Sequence, residues 1–517
     1  MTKKTKCIVI SAAGIVLLLA FIAYFYGNHI VSQQIAQNLE EQLPDNVNLT
    51  YKDLKADIVR GTFYMSDAEL ALQDQGINVK FASVNFSGIK LRKLFDGDTI
   101  VIGNCKLRQA DVLIDNSKRQ TKETKDTLRE ANKVIWVQNF NLIDSKFDFK
   151  DEKGKEMLKF NQADAYFVDL FVLTAPQDDE NAITYTFVNL IAKELEHPLN
   201  HLETLSVGKL EADTTDLKLN KLSIKPKFSR DQYQQHISEE RDVIDLDIEN
   251  LTAENYEYSF DDEDPFFKSS AITLENPVLS VYRDKRMPDQ TPRKPLYSEM
   301  LRELDLRLEI DKVQIQNAEI TYEEQLDKNP NPGKLTFNQM YATIAPVYNR
   351  DASKSQVNMD AKAQFMNHAP TEVNWKFHIL QPADQFTISG QVNQLRAQEL
   401  NSFFINNLNA KASGTVNSAL FNFSGNDVRG GGQMDMNYDD FKIELINEET
   451  KEKKGLQSFL ANLFVRSDKD MEDTGTTEIN VTRDQTKSFF NYWWLMLKEG
   501  LKQNMLRFGA GNSETNS

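Results

Sequence analysis

Ile77-Asn78-Val79-Lys80-Phe81-Ala82-Ser83-Val84-Asn85-Phe86 alternates apolar with polar residues, slips by one position after Phe81, and resumes at Val84 and Phe86. A period of two with a single slip is the pattern of a half-buried β-strand carrying a bulge. The same alternation returns in Trp375-Lys-Phe377-His-Ile379, Phe386-Thr-Ile388, Met434-Asp-Met436-Asn-Tyr438 and Phe441-Lys-Ile443-Glu-Leu445. The chain is therefore expected to be mainly β, an antiparallel sheet with one apolar face.

Helical patterns are few. Val31, Ile35, Leu39 and Leu43 recur every four residues before Pro44, and apolar residues at three- and four-residue spacing predict short helices at Phe187 to Leu195 and Leu296 to Leu304. Three loop signals interrupt the strands: Ser117 to Lys133 with six basic and three acidic residues, the Pro-rich Asp284 to Pro295, and Leu326 to Gly333. Internal repetition is the more informative feature. Asp144 to Asp151 (DSKFDFKD) parallels Asn317 to Glu324 (NAEITYEE), and Leu158 to Ala165 (LKFNQADA) parallels Leu335 to Ala342 (LTFNQMYA), at offsets of 173 and 177 residues. More loosely, Ile100 to Ile114 and Ile272 to Tyr282 both run from a strand through a polar turn into another strand. Repeated strand units predict a sheet built by addition.

Ahead of all this lies Ile8 to Tyr26 (IVISAAGIVLLLAFIAYFY), 19 residues without a charge, 11 of them Ile, Leu, Val or Phe. At roughly −0.3 to −0.6 kcal/mol each, those residues favour insertion by about −3 to −7 kcal/mol. The length suits a ~30 Å hydrocarbon layer and exceeds a cleavable signal's apolar core, and no small-residue cleavage site follows. Ile8, Ile15, Leu18 and Phe21 are read as membrane-anchor residues, with Tyr24 and Tyr26 as the interfacial aromatic pair. Lys3, Lys4 and Lys6 precede the span and no basic residue follows until Lys52, which predicts a cytoplasmic N-terminus and an exported body. The net charge of −17, from 60 basic and 77 acidic residues, disfavours a nucleic-acid partner. Two cysteines, Cys7 and Cys105, provide no disulfide framework.

The anchor, the segment Ile58-Val-Arg-Gly61-Thr-Phe63-Tyr-Met65-Ser-Asp67-Ala-Glu-Leu70, units such as Leu274-Glu-Asn276-Pro277-Val-Leu279, and the C-terminal run from Ala412-Ser-Gly414-Thr-Val416 through Gly430-Gly-Gly432 to Phe441-Lys-Ile-Glu-Leu445 together resemble the AsmA-like family of envelope proteins, which belongs with TamB and the chorein-type bridge proteins. The resemblance implies an elongated, curved antiparallel sheet folded into an apolar groove, facing the periplasm of a two-membrane bacterium, and a part in phospholipid traffic and outer-membrane biogenesis. From the residues alone, sandwiches or barrels whose apolar faces pack together satisfy the same alternation; the repeats and the anchor favour the groove. Its candidate lining is Val79, Phe81, Ile320, Tyr322, Trp375, Phe377, Ile388 and Ile443. The expected order is a cytoplasmic N-terminus (1–6), a transmembrane signal anchor (7–27), a juxtamembrane amphipathic helix (28–44), a repeated β-groove body (45–410), a C-terminal AsmA-like β region (411–486), an amphipathic helix (487–508) and a disordered tail (509–517).

That last helix places Phe489, Phe490, Trp493, Trp494, Leu497 and Leu501 at helical spacing beside Lys498 and Lys502. Basic residues next to Trp and Phe suit a membrane or partner interface, and the same stripe suits docking on the end of the sheet. No catalytic constellation emerges. His197 and His201 flank Pro198 without a third ligand, Asp261-Asp-Glu-Asp264 lacks the alternation of a calcium loop, and Gly430 to Gly432 lacks the Lys of a phosphate loop, so a tight turn or bulge is expected there. The chain thus reads as a non-enzymatic, cofactor-free protein of the inner membrane, its bulk in the periplasm. Its expected partners are phospholipid acyl chains, the membrane itself and an outer-membrane or assembly-complex protein. The alternative is an anchored scaffold that acts through protein contacts without lipid transfer.

Overall fold

The computed structural model of the protein describes residues 47–57, 60–72, 76–90, 99–118, 134–173, 183–259, 264–326, 331–446 and 478–511. The expected anchor, the 28–44 helix, residues 119–133, 261–263 and 327–330, and the tail after 511 lie outside the described residues. Those described are mainly β-strand, with a large, mostly antiparallel sheet and few short helices. They divide into two compact units, which meet in sequence at Leu222 and Ser223.

In the first unit, β1 (Val47–Thr50) and β2 (Asp53–Asp57) both pair with β3 (Thr62–Leu72), which pairs with β4 (Ile77–Ser87). β4 then pairs with β5 (Thr99–Arg108) and β6 (Asp111–Asp115), and both of these run parallel to β7 (Val134–Lys150). β8 (Glu156–Leu173), β9 (Ile183–Pro198) and β10 (Glu203–Asp213) follow in antiparallel order, and β11 (Asp216–Pro226) leads out of the unit. The slip read in β4 is present: Ile77, Val79, Phe81, Val84 and Phe86 are its buried residues. They belong to one closed core with Phe63, Met65, Leu70, Cys105, Leu107 and Ile135, where burial raises the Cys105 thiol pKa.

The second unit repeats the plan. β12 (Asp242–Glu254) pairs with β15 (Ala271–Glu275) and β16 (Val278–Asp284), which both run parallel to β18 (Val313–Gln325). From there β19 (Gly333–Ala345), β21 (Gln356–Phe365), β22 (Ala369–His378), β23 (Phe386–Arg396), β24 (Ala410–Gly425), β25 (Arg429–Leu445) and β26 (Ile479–Thr482) pair antiparallel in turn. A small second sheet joins β13 (Glu257–Ser259), β14 (Phe266–Ser269), β17 (Arg307–Ile310) and β20 (Val347–Tyr348). Helices accompany these strands, among them α1 (Tyr297–Arg302) and α2 (Phe489–Gly511), with shorter helical turns at 230–236 and 397–408.

The sequence repeat coincides with this structural one. Gln109, between β5 and β6, and Asn276, between β15 and β16, both have φ 50°. Their amides donate to Ile143 O at 2.8 Å and to Gln316 O at 2.9 Å. The next residues along the parallel partner, Asp144 and Asn317, are also left-handed (φ 49° and 54°) and sit at register shifts in β7 and β18. Side chains close each pair, Gln109 Nε2 donating to Asp144 Oδ2 at 3.1 Å and Asn317 Nδ2 to Asn276 Oδ1 at 2.8 Å. Asp144, Asn276 and Asn317 suit these positions because Asn and Asp tolerate a left-handed backbone that costs other L-residues roughly 1–2 kcal/mol, a cost that Gln109 bears.

Two expectations fail. Phe187 to Leu195 is part of β9, not a helix. Its inward residues Leu190, Ala192 and Leu195 pair with Ala165, Ala163 and Phe160, and the left-handed Glu194 (φ 52°) turns the last step of two into three. Register shifts on either side of Phe187 add to the effect, so irregularities imitate helical spacing while Ile183, Thr184, Thr186, Val188 and Ile191 favour strand. Gly430 to Gly432 is no turn either; it opens β25 between β24 and β26. A Cβ on Gly431 would lie 1.7 Å from Ile479 O, and one on Gly430 would lie 2.4 Å from the Tyr492 hydroxyl, so close approach is what requires glycine.

If the paired left-handed residues set the repeat, Asn317→Ala should destabilise the protein by about 1–2 kcal/mol, and Asn317→Gly by less, since only the former forces a Cβ into that conformation. Urea unfolding of the two variants checks this. Equal losses would assign the cost to the side-chain hydrogen bond instead.

Candidate functional site

Directly paired residues share a face of a sheet, so registers identify what each face presents. In the second unit one row reads Leu251, Leu274, Ile315, Ala342, Ala361, Val373, Gly390, Phe421, Met434 across nine strands, without a polar side chain. The neighbouring row on that face reads Ala253, Ile272, Val313, Ile344, Met359, Trp375, Ile388, Phe423. Beyond the line of bulges the face continues through Leu246, Leu279, Ile320, Phe337 and Phe365, and through Ile244, Val281, Tyr322 and Leu335. Phe337 and Phe365 are in ring contact at 4.9 Å. From β12 to β21 most of these side chains are half-buried, and Ile244 is 39% exposed.

Three covers lie on parts of this face. α2 seals the β22 to β26 end: Phe489, Tyr492 and Met496 are buried against Phe386, Ile388, Phe421, Phe423 and Ile479. Phe489 stacks on Trp375 at 4.4 Å, and Asn504 fixes the helix to β25, accepting from Met436 N at 3.1 Å and donating to Met434 O at 2.7 Å. Residues 397–408 cover Ile443, Ala412 and Met436, with Leu335 and Phe365 at the margin. α1 and the small sheet, through Leu301, Leu308, Ile310 and Val347, pack on Ile272, Val313 and Ile344.

The candidate lining residues therefore occupy different surroundings. Ile320 and Tyr322 lie on the half-buried face, the Tyr322 hydroxyl donating to Glu324 Oε2 at 2.7 Å. Trp375, Phe377 and Ile388 lie in the cluster beneath α2, and Ile443 lies beneath 397–408. Val79 and Phe81 are enclosed in the first unit's core. That unit has its own apolar rows, such as Phe147, Phe160, Leu195, Val207 across β7 to β10.

Of the helix residues, Phe489 is buried, Trp493, Trp494, Leu497, Leu501, Lys498 and Lys502 are half-buried, and Phe490 is 55% exposed. The deepest stripe, Tyr492, Met496, Gly500 and Asn504, escapes a reading by apolar residues because two of its members are small or polar. Its signal is the strict four-residue spacing, with Gly500 admitting Met434, whose Sδ would lie 2.7 Å from a Cβ there.

Charge ties the start of α2 to the segment ahead of β12, and the segment ahead of α1 to the connection between β24 and β25. Glu240, ahead of β12 and 1% exposed, meets Lys285 at 2.7 Å and Lys487 at 3.4 Å, and Lys487 also meets Asp289 at 2.7 Å. Arg293 joins Glu299 at 2.6 Å to Asp427 at 3.0 Å. The hydrogen bond from Lys487 lowers the Asp289 pKa, and that from Arg293 lowers Glu299.

A concavity of about 810 Å³ crosses β18 to β25, lined by polar residues such as Tyr341, Lys362, Glu372, Asn374, Gln391 and Asn422 together with residues of the apolar row. Among the described residues no group of His, Cys, Asp and Glu is placed to hold a metal ion. His197 lies in β9 with its Nδ1 against Met157 O. No helix among the described residues is long and apolar enough to cross a membrane.

No protein-family model matches the chain, and no curated protein matches it. Beneath α2, the Tyr492 hydroxyl is buried without a hydrogen-bond partner among the described residues, and burial pushes its pKa up to about 12. Removing an unsatisfied buried hydroxyl leaves packing intact, so Tyr492→Phe should be neutral or stabilising by up to ~1 kcal/mol. Thermal unfolding of this variant checks the seating of the helix; a loss of stability would show that the hydroxyl has a partner.

Proposed function

We propose that this is a non-enzymatic protein of the inner membrane whose exported strands bind or conduct lipid acyl chains in envelope biogenesis. One observation carries the reading: a half-buried apolar face, in register from β12 to β21. Exposing one acyl chain of ~16 methylenes to water costs about 13 kcal/mol, so a continuous apolar track lowers the barrier to moving lipid between membranes. Strands are ~4.8 Å apart, and each pairing extends the track by that distance. The anchor read at Ile8 to Tyr26 would keep the track beside a lipid source.

A second reading, an anchored scaffold without lipid, draws on the enclosed core around Val79 and Phe81 and on the seating of α2 over Trp375 and Ile388.

Phospholipid retained by the purified full-length protein, quantified by mass spectrometry, separates the two. Ile320→Asp and Phe337→Asp place a charge on the apolar track, at a cost of a few kcal/mol to any chain lying there. Each should lower retained phospholipid by about tenfold or more while circular dichroism keeps its strand signal. Retention equal to that of the parent protein, or no lipid in the parent, would remove the lipid reading.

A further inference from the structure

The apolar rows do not stop where α2 begins to cover them. The half-buried row through Ala361 and Val373 runs on as Gly390, Phe421 and Met434, and its neighbour through Met359 runs on as Trp375, Ile388 and Phe423. The surface beneath the helix is therefore a continuation of the less enclosed face from β12 to β21, made of the same kinds of side chain.

The helix fits that surface imperfectly. Phe489, Tyr492 and Met496 seat it by apolar packing, yet among the described residues buried polar atoms without a hydrogen-bond partner gather at the same contact. They are Tyr492 Oη and Trp493 Nε1 on the helix and Trp375 Nε1 on the sheet. Each gave up its water on docking and gained no bond in return, so each opposes the docked arrangement. The polar fastenings are few. Just ahead of the helix Lys487 is held by Glu240 and Asp289, and further along Asn504 bonds Met434 O and Met436 N. β26 pairs with β25 only from Arg429 to Gly432, so Met434 and Met436 lie beyond that pairing, where water replaces the Asn504 bonds once the helix leaves.

We propose that α2 is a displaceable cover: it lifts about the anchored Lys487, and a lipid acyl chain takes its place on Trp375, Ile388, Phe421 and Phe423. The inference rests on the acyl-chain reading and extends that site from β21 to β25. Lifting returns the three unpartnered polar atoms to water, while methylenes replace the apolar contacts of Phe489 and Met496. Lipid thus binds only the lifted arrangement and draws the protein toward it; without lipid the covered arrangement prevails.

Hydrogen exchange in the unmodified full-length protein reads the lifting itself. The amides of α2 should exchange at least about a hundredfold faster than those of β24, and exchange of the two at one rate overturns the proposal. Lipid occupancy is read with p-azidophenylalanine in place of Phe423, which is 1% exposed beneath the helix. Phospholipid adducts should form there. A Cβ on Gly500 lies 2.8 Å from that of Met434, so Gly500→Cys with Met434→Cys ties the helix down by a disulfide. Oxidation of that pair should lower the adducts by about tenfold or more, and reduction should restore them. Adducts that ignore the disulfide, or adducts at Ile320 with none at Phe423, overturn the displaceable cover and leave the acyl-chain reading in place. Absence of adducts at both positions overturns both.

Discussion

Register is the constraint on which the rest of the second unit depends. A slip of one residue in any strand would exchange its faces and put a polar step into a row such as Leu251, Leu274, Ile315, Ala342, Ala361. The strands do slip, but in concert. β12, β15/β16, β18 and β19 change parity at the same level, so the apolar side chains remain on one face on either side of the seam. Left-handed residues at Asn276, Asn317 and Gln339 make that change possible. The first unit uses Gln109 and Asp144 in the same way.

A face this wide must be covered or used. It is covered in parts, by α2 over β22 to β26, by residues 397–408, and by the small sheet with α1 over Ile272, Val313 and Ile344. The cover is fastened by long-range charge pairs, Lys487 with Glu240 and Arg293 with Asp427, not by apolar burial alone. Glu240 is almost fully buried and has two cations, which is the arrangement a buried carboxylate requires. Toward β12 the apolar rows are less enclosed, and there the charged row of Asp242, Arg283 and Glu324 marks their limit.

Much of this was legible in the sequence. Alternation revealed the strands, the slip after Phe81 revealed the bulge in β4, and the 173-residue offset of Asp144 and Asn317 matched two left-handed residues in equivalent pairings. The helix at the far end was legible from Phe489 and Trp493. What failed did so for physical reasons. Bulges in β9 gave a strand the spacing of a helix, and Gly430 to Gly432 has the composition of a turn but answers to crowding by Tyr492 and Ile479. The pairings of Lys487 and Arg293 join residues up to 247 positions apart, and no local pattern announces them. The rows themselves could not be assembled from single strands, because which apolar residues align depends on registers that the bulges alter. Candidate lining residues chosen one strand at a time consequently fall into an enclosed core, beneath a helix and on a half-buried face alike.

Acyl chains are proposed to occupy one face of these strands. Photo-crosslinking in the full-length protein, with a photoreactive residue placed singly at Ile320, Phe337, Thr321 or Thr336, reads this directly. Ile320 pairs with Phe337 on the apolar face, and Thr321 pairs with Thr336 on the other. Phospholipid adducts at Ile320 and Phe337 but not at the threonines are the predicted result. Adducts at all four positions, or at none, would contradict the account.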